Sequence, residues 1–498
     1  MHLGIDFGTT RTVVAQSDRG NYPVVGFEDL DGDLHDYFPS LVAVDPEGRT
    51  SFGFEARRAA EEGATLVRSV KRHLASADLT LDSTMSVAGR ELVLLDLVSG
   101  YLAALSEALV TGSTCARGEA LGRVAVAVPA HAFTAQRLFT LEAFERAGFA
   151  VSSMLNEPSA AGFEYTHRHA RTVTSRRNRV LVYDLGGGTF DASLVQADGT
   201  RHEVLGSAGV NRLGGDDFDL VLADLVLAKA GVDEASLPVT ALDALVEQCQ
   251  QAKESLTAQT RRIPVELDGE LVVVPAEDFY RACDPLVEQS LETMSSLVDS
   301  LGPETEEQVA GIHLVGGGSS LPSVPRRLRE RFGRRVHRAQ QPGASTAIGL
   351  AIAADPESGY SLTERLSRSF GVFREQESGA RVVLDQVLSP QQEVKSDGAA
   401  VTRRYRAVHD LGVLRFVECA DVAQDGSPAG ALAPVGELRF PFDRRLQDGR
   451  DLSGHRVGPL PDGEDVWVEE VYRVDGSGAV SVTVTDLGTG FTLEAQWG

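Results

Sequence analysis

The sequence predicts an α/β chain: a duplicated α/β unit over residues 1–354, followed by a C-terminal antiparallel β domain. Three observations predict it. Residues 4–15 and 180–195 share one pattern: an apolar strand, an aspartate, a small-residue turn and a returning strand. Around them, strand-like runs alternate with helical periodicity, the order expected of α/β units. Beyond about Asp355 the helical spacing stops, and short strands separated by turn residues take over.

Size and composition set the frame. A chain of 498 residues with 42% hydrophobic content can bury sizeable cores, in roughly three structural units by length. A formal charge of -25 disfavours nucleic acid and anionic membranes as partners, since those surfaces need a basic face. The four cysteines, Cys115, Cys249, Cys283 and Cys419, are scattered without CxxC spacing, so neither a zinc site nor a disulfide framework is expected. The chain enters an apolar strand at Leu3, Gly4 and Ile5 without a leader pattern, and no run of about 18 uncharged apolar residues occurs. A soluble, cytoplasmic protein is the expectation.

The first hairpin carries Asp6, then Gly8, Thr9 and Thr10 in its turn; the second carries Asp184, Gly186, Gly187, Gly188, Thr189 and Asp191. Glycine lets backbone N–H groups approach an anion closely, so such turns can wrap phosphate oxygens. Flanking aspartates repel a bare phosphate, which calls for a hydrated Mg²⁺ among them. An ordinary Gly-rich hairpin has the same local pattern. The repetition favours the functional reading, with Asp6 and Asp184 on opposite walls of a cleft.

Between the hairpins, residues 92–110 have helical spacing, 124–128 read as a buried strand ended by Pro129, and 135–147 read as a helix closed by Gly148. Residues 156–162 open a small-residue helix with Glu157 at its start, where a carboxylate also serves the helix dipole. Gly214, Gly215 and Asp216 lead into a helical region reaching about Ala258, broken near Pro238, with Lys253 in its last turns. Strands at 263–267 and 271–274 precede a helix over 276–301. Gly316, Gly317 and Gly318 then end a strand ahead of a helix over 323–332, a third anion-facing element. Residues 342–354 form a last Ala/Gly-rich helix, and 355–359 read as a linker. Strands at 412–417 and 437–442, and a hairpin of 466–474 with 479–485 about Asp475, Gly476, Ser477 and Gly478, mark the β domain.

Lysine is rare: Lys71, Lys229, Lys253 and Lys395 stand against an arginine-dominated positive charge. An ammonium and a guanidinium are not interchangeable at a phosphate, so each of the four invites a functional question.

Taken together, the segments 4–10, 156–162, 180–191, 311–322 and 342–354 resemble the signature motifs of the actin, sugar-kinase and heat-shock-chaperone ATPase superfamily. The strings D-L-G-G-G-T-F-D, N-E-P-S-A-A and L-G-G-D-D-F-D are similar to those of the heat-shock protein 70 family, including its DnaK-type members. The resemblance implies an actin-like (ribonuclease H-like) two-lobed ATPase domain over 1–354, a linker over 355–369 and a β-sandwich-like, peptide- or partner-binding domain over 370–498. It implies that Asp6 and Asp184 hold hydrated Mg²⁺, with Glu157 and Asp191 in the outer shell. Gly8, Thr9, Thr10, Gly186, Gly187, Gly188 and Thr189 would cradle the β- and γ-phosphates of ATP or ADP. Gly214, Gly215, Lys253, Gly316, Gly317 and Gly318 would complete the nucleotide site. Lys71 falls at the family's catalytic lysine, and Lys71, Glu157, Thr189 and Asp191 form the implied catalytic set. Pro129 and Arg137 match a pair that relays nucleotide state.

Three positions depart from the family pattern: Ser320 and Glu254 stand where stacking arginines occur, and Gly343 replaces an aspartate. A looser adenosine grip is the expectation. The segment 359–365 is not the family's linker string, and the sequence ends after the β domain, so a short member lacking the helical lid is expected. The implied activity is an ATP-dependent, stress-response chaperone for protein folding, with unfolded or specific client proteins, a J-domain co-chaperone and a nucleotide exchange factor as partners. The rival readings are a nucleotide-dependent scaffold or exchange-factor-like regulator without a peptide site, a small-molecule kinase, and an actin-like filament. No P-loop string occurs.

Overall fold

The computed structural model describes residues 1–115, 121–300, 302, 305–376, 381–390, 393–394, 399–423, 425–461, 463–474 and 479–497. The chain divides into two compact units. The first comprises Met1–Leu74, Asp82–His131 and Glu142–Leu362; the second comprises Ala75–Leu81, Ala132–Leu141 and Thr363–Gly498.

Two mixed sheets organise the first unit. In one, β1 (Leu3–Phe7) pairs antiparallel with β2 (Arg11–Gln16), which pairs with β3 (Phe38–Pro39). On its other side β1 runs parallel to β4 (Val124–Val128), and β4 parallel to β5 (Val151–Asn156). In the other sheet, β6 (Arg179–Leu185), β7 (Phe190–Asp198) and β8 (Arg201–Val210) form an antiparallel series. There β6 runs parallel to β9 (Val309–Val315), and β9 parallel to β10 (Val336–Arg338). The spatial order β5-β4-β1-β2-β3 of the first sheet matches, strand for strand and direction for direction, the run β10-β9-β6-β7-β8 of the second, which has seven strands. The repeat seen in two short motifs is therefore a repeat of topology. Strand β4, V-A-V-A-V, is buried throughout, as a parallel strand covered on both faces must be.

Helices fill equivalent places in the two halves. α1 (Leu94–Thr111) precedes β4, α2 (Thr134–Arg146) joins β4 to β5, and α3 (Glu157–Arg168) follows β5. In the second half, α4 (Gly215–Ala230), α5 (Val239–Glu254) and α6 (Ala276–Ser300) lie between β8 and β9. α7 (Ser323–Phe332) joins β9 to β10, and α8 (Ser345–Ala354) follows β10. The division between the units passes through α2 after Leu141.

The closing helices α3 and α8 cross each other where side chains are smallest. A Cβ on Gly349 would fall 1.8 Å from the Ala160 carbonyl oxygen, and one on Gly4 would fall 2.2 Å from the Ala351 nitrogen. Any larger residue at either place would force the backbones apart. Ala125, Ala127, Ala160, Phe163, Ile348 and Leu350 share the resulting core. Around the second sheet, Tyr183, Phe190, Phe218, Phe279, Met294 and Leu314 belong to a larger core.

Helix α1 is 18 residues long with mean hydropathy 1.4, enough by length and composition to cross a membrane. Leu94, Leu97, Val98, Tyr101, Leu102 and Leu105 are buried within the structure, the pattern of a core helix.

Three helix boundaries differ from the sequence reading by two residues or more. α1 begins two residues late because Arg90–Val93 pairs as a strand with Thr84–Val87. α8 begins at Ser345 rather than Pro342, whose carbonyl accepts from the Gly316 N–H at 2.8 Å. α5 stops at Glu254, and Thr257 turns back through its N–H to Thr260 Oγ1 at 3.0 Å. The segment 355–369, read as linker, contains a strand, Ser361–Arg365.

The second unit contains two four-stranded antiparallel sheets. One has the order β12-β11-β14-β15, from β11 (Ser369–Gln376), β12 (Arg381–Leu388), β14 (Leu411–Cys419) and β15 (Ala433–Pro441). The other has the order β13-β16-β17-β18, from β13 (Ala399–Arg406), β16 (Trp467–Val474), β17 (Val480–Asp486) and β18 (Thr492–Trp497). Phe370, Phe416 and Phe440 from one sheet share a core with Val468, Tyr472 and Val482 from the other. Lys395, Leu301 and the turn 475–478 lie outside the described residues.

Candidate active site

A cleft of about 1090 Å³ opens in the first unit. Its lining takes in Asp6, Gly8, Thr9, Thr10, Lys71, Glu157, Asp184, Gly186, Gly187, Thr189, Gly215, Lys253, Gly316, Gly317 and Gly318. Residues far apart in sequence are thus brought to one surface by the paired topology. Asp191, Gly188 and Gly214, also expected in the site, are not part of this lining.

Both hairpins present their aspartates at the same structural place. Asp6 lies opposite Val13 on β2, and Asp184 lies opposite Asp191 on β7. The Gly8 N–H donates to the Asp6 carbonyl at 3.0 Å, and the Gly186 N–H to the Thr189 carbonyl at 3.0 Å, so each turn is tight. The third glycine strand-end closes onto the second hairpin. Gly316 has φ +81, and a Cβ there would fall 2.4 Å from Asp184 Oδ1. Only glycine fits such a backbone against a carboxylate.

The turns also fit each other. A Cβ on Gly187 would come 3.0 Å from Thr10 Oγ1, and one on Gly188 would come 2.8 Å from Thr9 Oγ1. A Cβ on Gly214 would fall 2.5 Å from the Gly187 carbonyl. The N–H groups of Gly215 and Asp216 donate to Gly186 and Gly187 carbonyls at 2.9 and 2.8 Å. Gly188 and Gly214 therefore act in the packing beneath the turn, and their backbones set its shape.

Lys71 comes from a short 3-10 turn, Val70–Ala75. Ser69 before it has φ +54, unusual for a residue with a Cβ, and its Oγ donates to Asp216 Oδ2 at 2.6 Å. This sharp redirection turns Lys71 inward. Its Nζ lies 2.6 Å from Glu157 Oε1, and both side chains are about one-tenth exposed. Glu157 is the first residue of α3, yet its carboxylate engages Lys71 rather than capping the helix.

Asp191 is 2% exposed; its Oδ1 accepts from the Ala130 N–H at 3.0 Å. Asp6, Glu157, Asp184 and Asp191 thus place four carboxylates around the single ammonium of Lys71. Burial, then repulsion from Glu157, pushes the Asp6 carboxyl up to about 7 and Asp191 up to about 8. Burial and three neighbouring carboxylates push Asp184 up as well. Burial opposes the charge on Lys71, but Glu157 and Asp6 hold its affinity for a proton above the ordinary value. A site this acidic lacks positive charge, and a divalent cation is the natural complement. Among the described residues no three His, Cys, Asp or Glu side chains converge as a direct-coordination set.

The opposite wall comes from the second half. Lys253 Nζ donates to the Gly215 carbonyl and pairs with Asp219, each at 2.7 Å. Arg72 Nη2 reaches Asp217 Oδ2 at 2.6 Å, and Arg68 reaches Glu247 Oε2 at 2.7 Å. Glu254 pairs with Arg11, whose guanidinium carbon lies 4.4 Å from the Tyr37 ring centroid. Ser320 and Gly343 both line the cleft. Ser320 Oγ accepts from Arg338 Nη2 at 2.8 Å.

Sequence reasoning passed over Arg11, Tyr37, Arg326, Arg329 and Arg338, all in the lining. Of these only Arg11, adjacent to the first turn, carried a local signal.

Comparisons with known proteins agree in direction with this geometry. The family model described as "Hsp70 protein" matches residues 101–367. The chaperone protein HscA of Citrobacter koseri is 32% identical, in an alignment covering 99% of this chain and 77% of that protein. HscA of Escherichia coli is 31% identical and the HscA homolog of Vibrio cholerae 29% identical, each over the same shares.

Proposed function

This chain belongs to the Hsp70 family, and from that premise we propose that it is a chaperone driven by Mg·ATP binding and slow hydrolysis. The observation that carries the proposal is the joining of two Asp-ended glycine hairpins and the Lys71–Glu157 pair in one cleft. In this reading the two sheets of matching order form the two lobes of an actin-like ATPase domain. The sheets of the second unit form a β-sandwich that binds client protein, and the domain change falls within 355–369.

The residues fit the implied ligands. The excess of carboxylates around Lys71 suits a divalent cation, and the small-residue turns lining the cleft suit close backbone approach to phosphate. Asp6 and Asp184 would hold the hydrated ion through its water shell. Such an ion supplies charge neutralisation at the β- and γ-phosphates when bound. Thr9, Thr10, Gly187 and Thr189 would offer N–H and hydroxyl donors to phosphate oxygens, in turns shaped by the internal bonds of the Gly8 and Gly186 N–H groups. Lys71 Nζ, fixed by Glu157, is placed to neutralise terminal phosphate charge and to orient the attacking water. Glu157 and Asp191 would accept hydrogen bonds from the attacking water, drawing its protons toward the carboxylates and leaving an oxygen lone pair turned toward the terminal phosphate. Lys253 closes the opposite wall. Phosphoryl transfer to water needs little beyond this positioning and electrostatics.

Closure of the two halves about the nucleotide would alter the state of the β unit, so that hydrolysis shifts client affinity. J-domain co-chaperones, nucleotide exchange factors and a cytoplasmic setting are part of this proposal. The test is ATP turnover by the full chain with and without an extended model peptide, alongside peptide binding in ATP and in ADP. Peptide affinity that differs between the two nucleotides supports the chaperone reading. Turnover without any peptide response would favour a nucleotide-dependent scaffold.

A further inference from the structure

The lining of the cleft continues past Gly316, through the turn Gly318–Ser320, to the end of β10. The floor of this end is bare backbone: a Cβ on Gly317 or Gly343 would meet nothing within 4 Å. Tyr280, Arg326, Arg329 and Arg338 stand around it.

Arg338 pairs with no carboxylate among the described residues, unlike several arginines near it in the fold. Arg72 and Arg68 point at carboxylates, and even exposed Arg326 lies 4.0 Å from Glu330. Arg338 Nη2 instead donates to a hydroxyl, Ser320 Oγ, at 2.8 Å. A guanidinium held by one edge keeps both flat faces and its remaining donors free. Such a plane stacks on an aromatic ring, which an ammonium cannot do. Glycine backbone on the floor lets a flat ring lie close.

We propose that Arg338, positioned by Ser320, is a base-recognition residue that packs its guanidinium on the nucleobase of the bound nucleotide. The inference rests on the nucleotide reading of the cleft, which puts the phosphates at the Asp6–Asp184 end and so the base at this one. It also changes the meaning of Ser320: the serine is the anchor of a relocated arginine, and the adenosine grip need not be loose.

The experiment is calorimetric titration of the full chain with Mg·ADP, Mg·CDP and inorganic pyrophosphate with Mg²⁺, for the wild type, Arg338→Ala and Arg338→Lys. The inference predicts that Arg338→Ala weakens ADP by about 3- to 10-fold, in the range of a cation–π contact. Pyrophosphate binding should stay unchanged, which also reports an intact fold. The preference for ADP over CDP should narrow, because a purine offers the larger face. Arg338→Lys should remain weak for ADP, having the charge but not the plane. An unchanged ADP affinity in Arg338→Ala, equal losses for ADP and pyrophosphate, or full recovery by lysine would each overturn the inference. Failure of the wild type to bind either ADP or pyrophosphate would instead overturn the nucleotide reading itself.

Discussion

Lys71 and Glu157 form a buried ion pair, with Nζ 2.6 Å from Oε1, linking a strained turn to the first residue of α3. Glu157 also repels Asp6, Asp184 and Asp191, so Lys71 is what makes its charge tolerable. Removing one member of a buried pair costs up to about 3–5 kcal/mol when the other is left uncompensated. Without Glu157 the ammonium loses its hydrogen-bonded partner but keeps Asp6, Asp184 and Asp191 nearby, so the loss is smaller. Glu157→Ala should therefore lower the melting temperature of the ligand-free protein, measured by scanning calorimetry. Glu157→Gln, which keeps an acceptor for the ammonium, should lower it less. Equal melting temperatures for wild type and Glu157→Ala would show that the pair is not structurally coupled.

The acidic site has a pH signature. Asp6 and Asp191 keep protons up to about 7 and about 8 in the metal-free fold, against an ordinary 3.8. Between these limits the folded state binds more protons than the unfolded chain, so their contribution to stability is present at low pH and is lost as pH rises. Metal-free protein should lose this contribution between roughly pH 4 and pH 8. Asp191→Asn should flatten that slope, and Mg·ADP binding to the wild type should release protons in buffers of different ionisation enthalpy. Proton uptake on binding would contradict the assignment.

Arg11 and Glu254 join the first hairpin to the end of α5 across the mouth of the cleft, each about 40% exposed. Exposed pairs contribute about 1 kcal/mol or less, and salt screens them. Arg11→Ala should speed release of a fluorescent ADP by no more than about fivefold at low salt. The difference from wild type should vanish near molar salt. A larger change that persists in salt would mean that Arg11 touches the nucleotide directly.

In the second unit, Glu470 is fully buried and accepts from Arg374 Nη1 at 2.9 Å and from the Tyr405 and Tyr472 hydroxyls at 2.6 Å. Its oxygens are satisfied, and Arg374 on β11 reaches it from the facing sheet. Arg374→Ala should destabilise this unit by about 3–5 kcal/mol, seen as a shift of its transition in denaturant. ATP turnover in the absence of peptide should be unchanged.

The sequence was legible where chemistry and periodicity coincide. The two hairpins, with Asp6 and Asp184 before small-residue turns, read directly from apolar alternation broken by glycine. Their kinship as one topology also followed, because both strands of each hairpin carry the same pattern. Helix α7 read at its full extent, Ser323–Phe332, between a proline-led start and Gly333. Lys71 was different: a 3-10 turn after a left-handed serine has no periodic signal, and only the scarcity of lysine and the family resemblance marked it. The pairs Arg11–Glu254 and Ser320–Arg338 were invisible, since each depends on distant segments meeting across the fold. Ser320 and Glu254 read singly as departures; the structure supplies their partners.

The measurement that tests the central claim most directly is single-turnover ATP hydrolysis by the wild type and by Lys71→Ala. Loss of one preorganised charge aimed at the reacting group costs about 10²- to 10³-fold in such sites. The predicted result is slow hydrolysis by the wild type and a rate at least about 100-fold lower in Lys71→Ala, with Mg·ADP still bound by both. Hydrolysis by Lys71→Ala within twofold of the wild type would contradict the assignment of this cleft as the site of ATP hydrolysis.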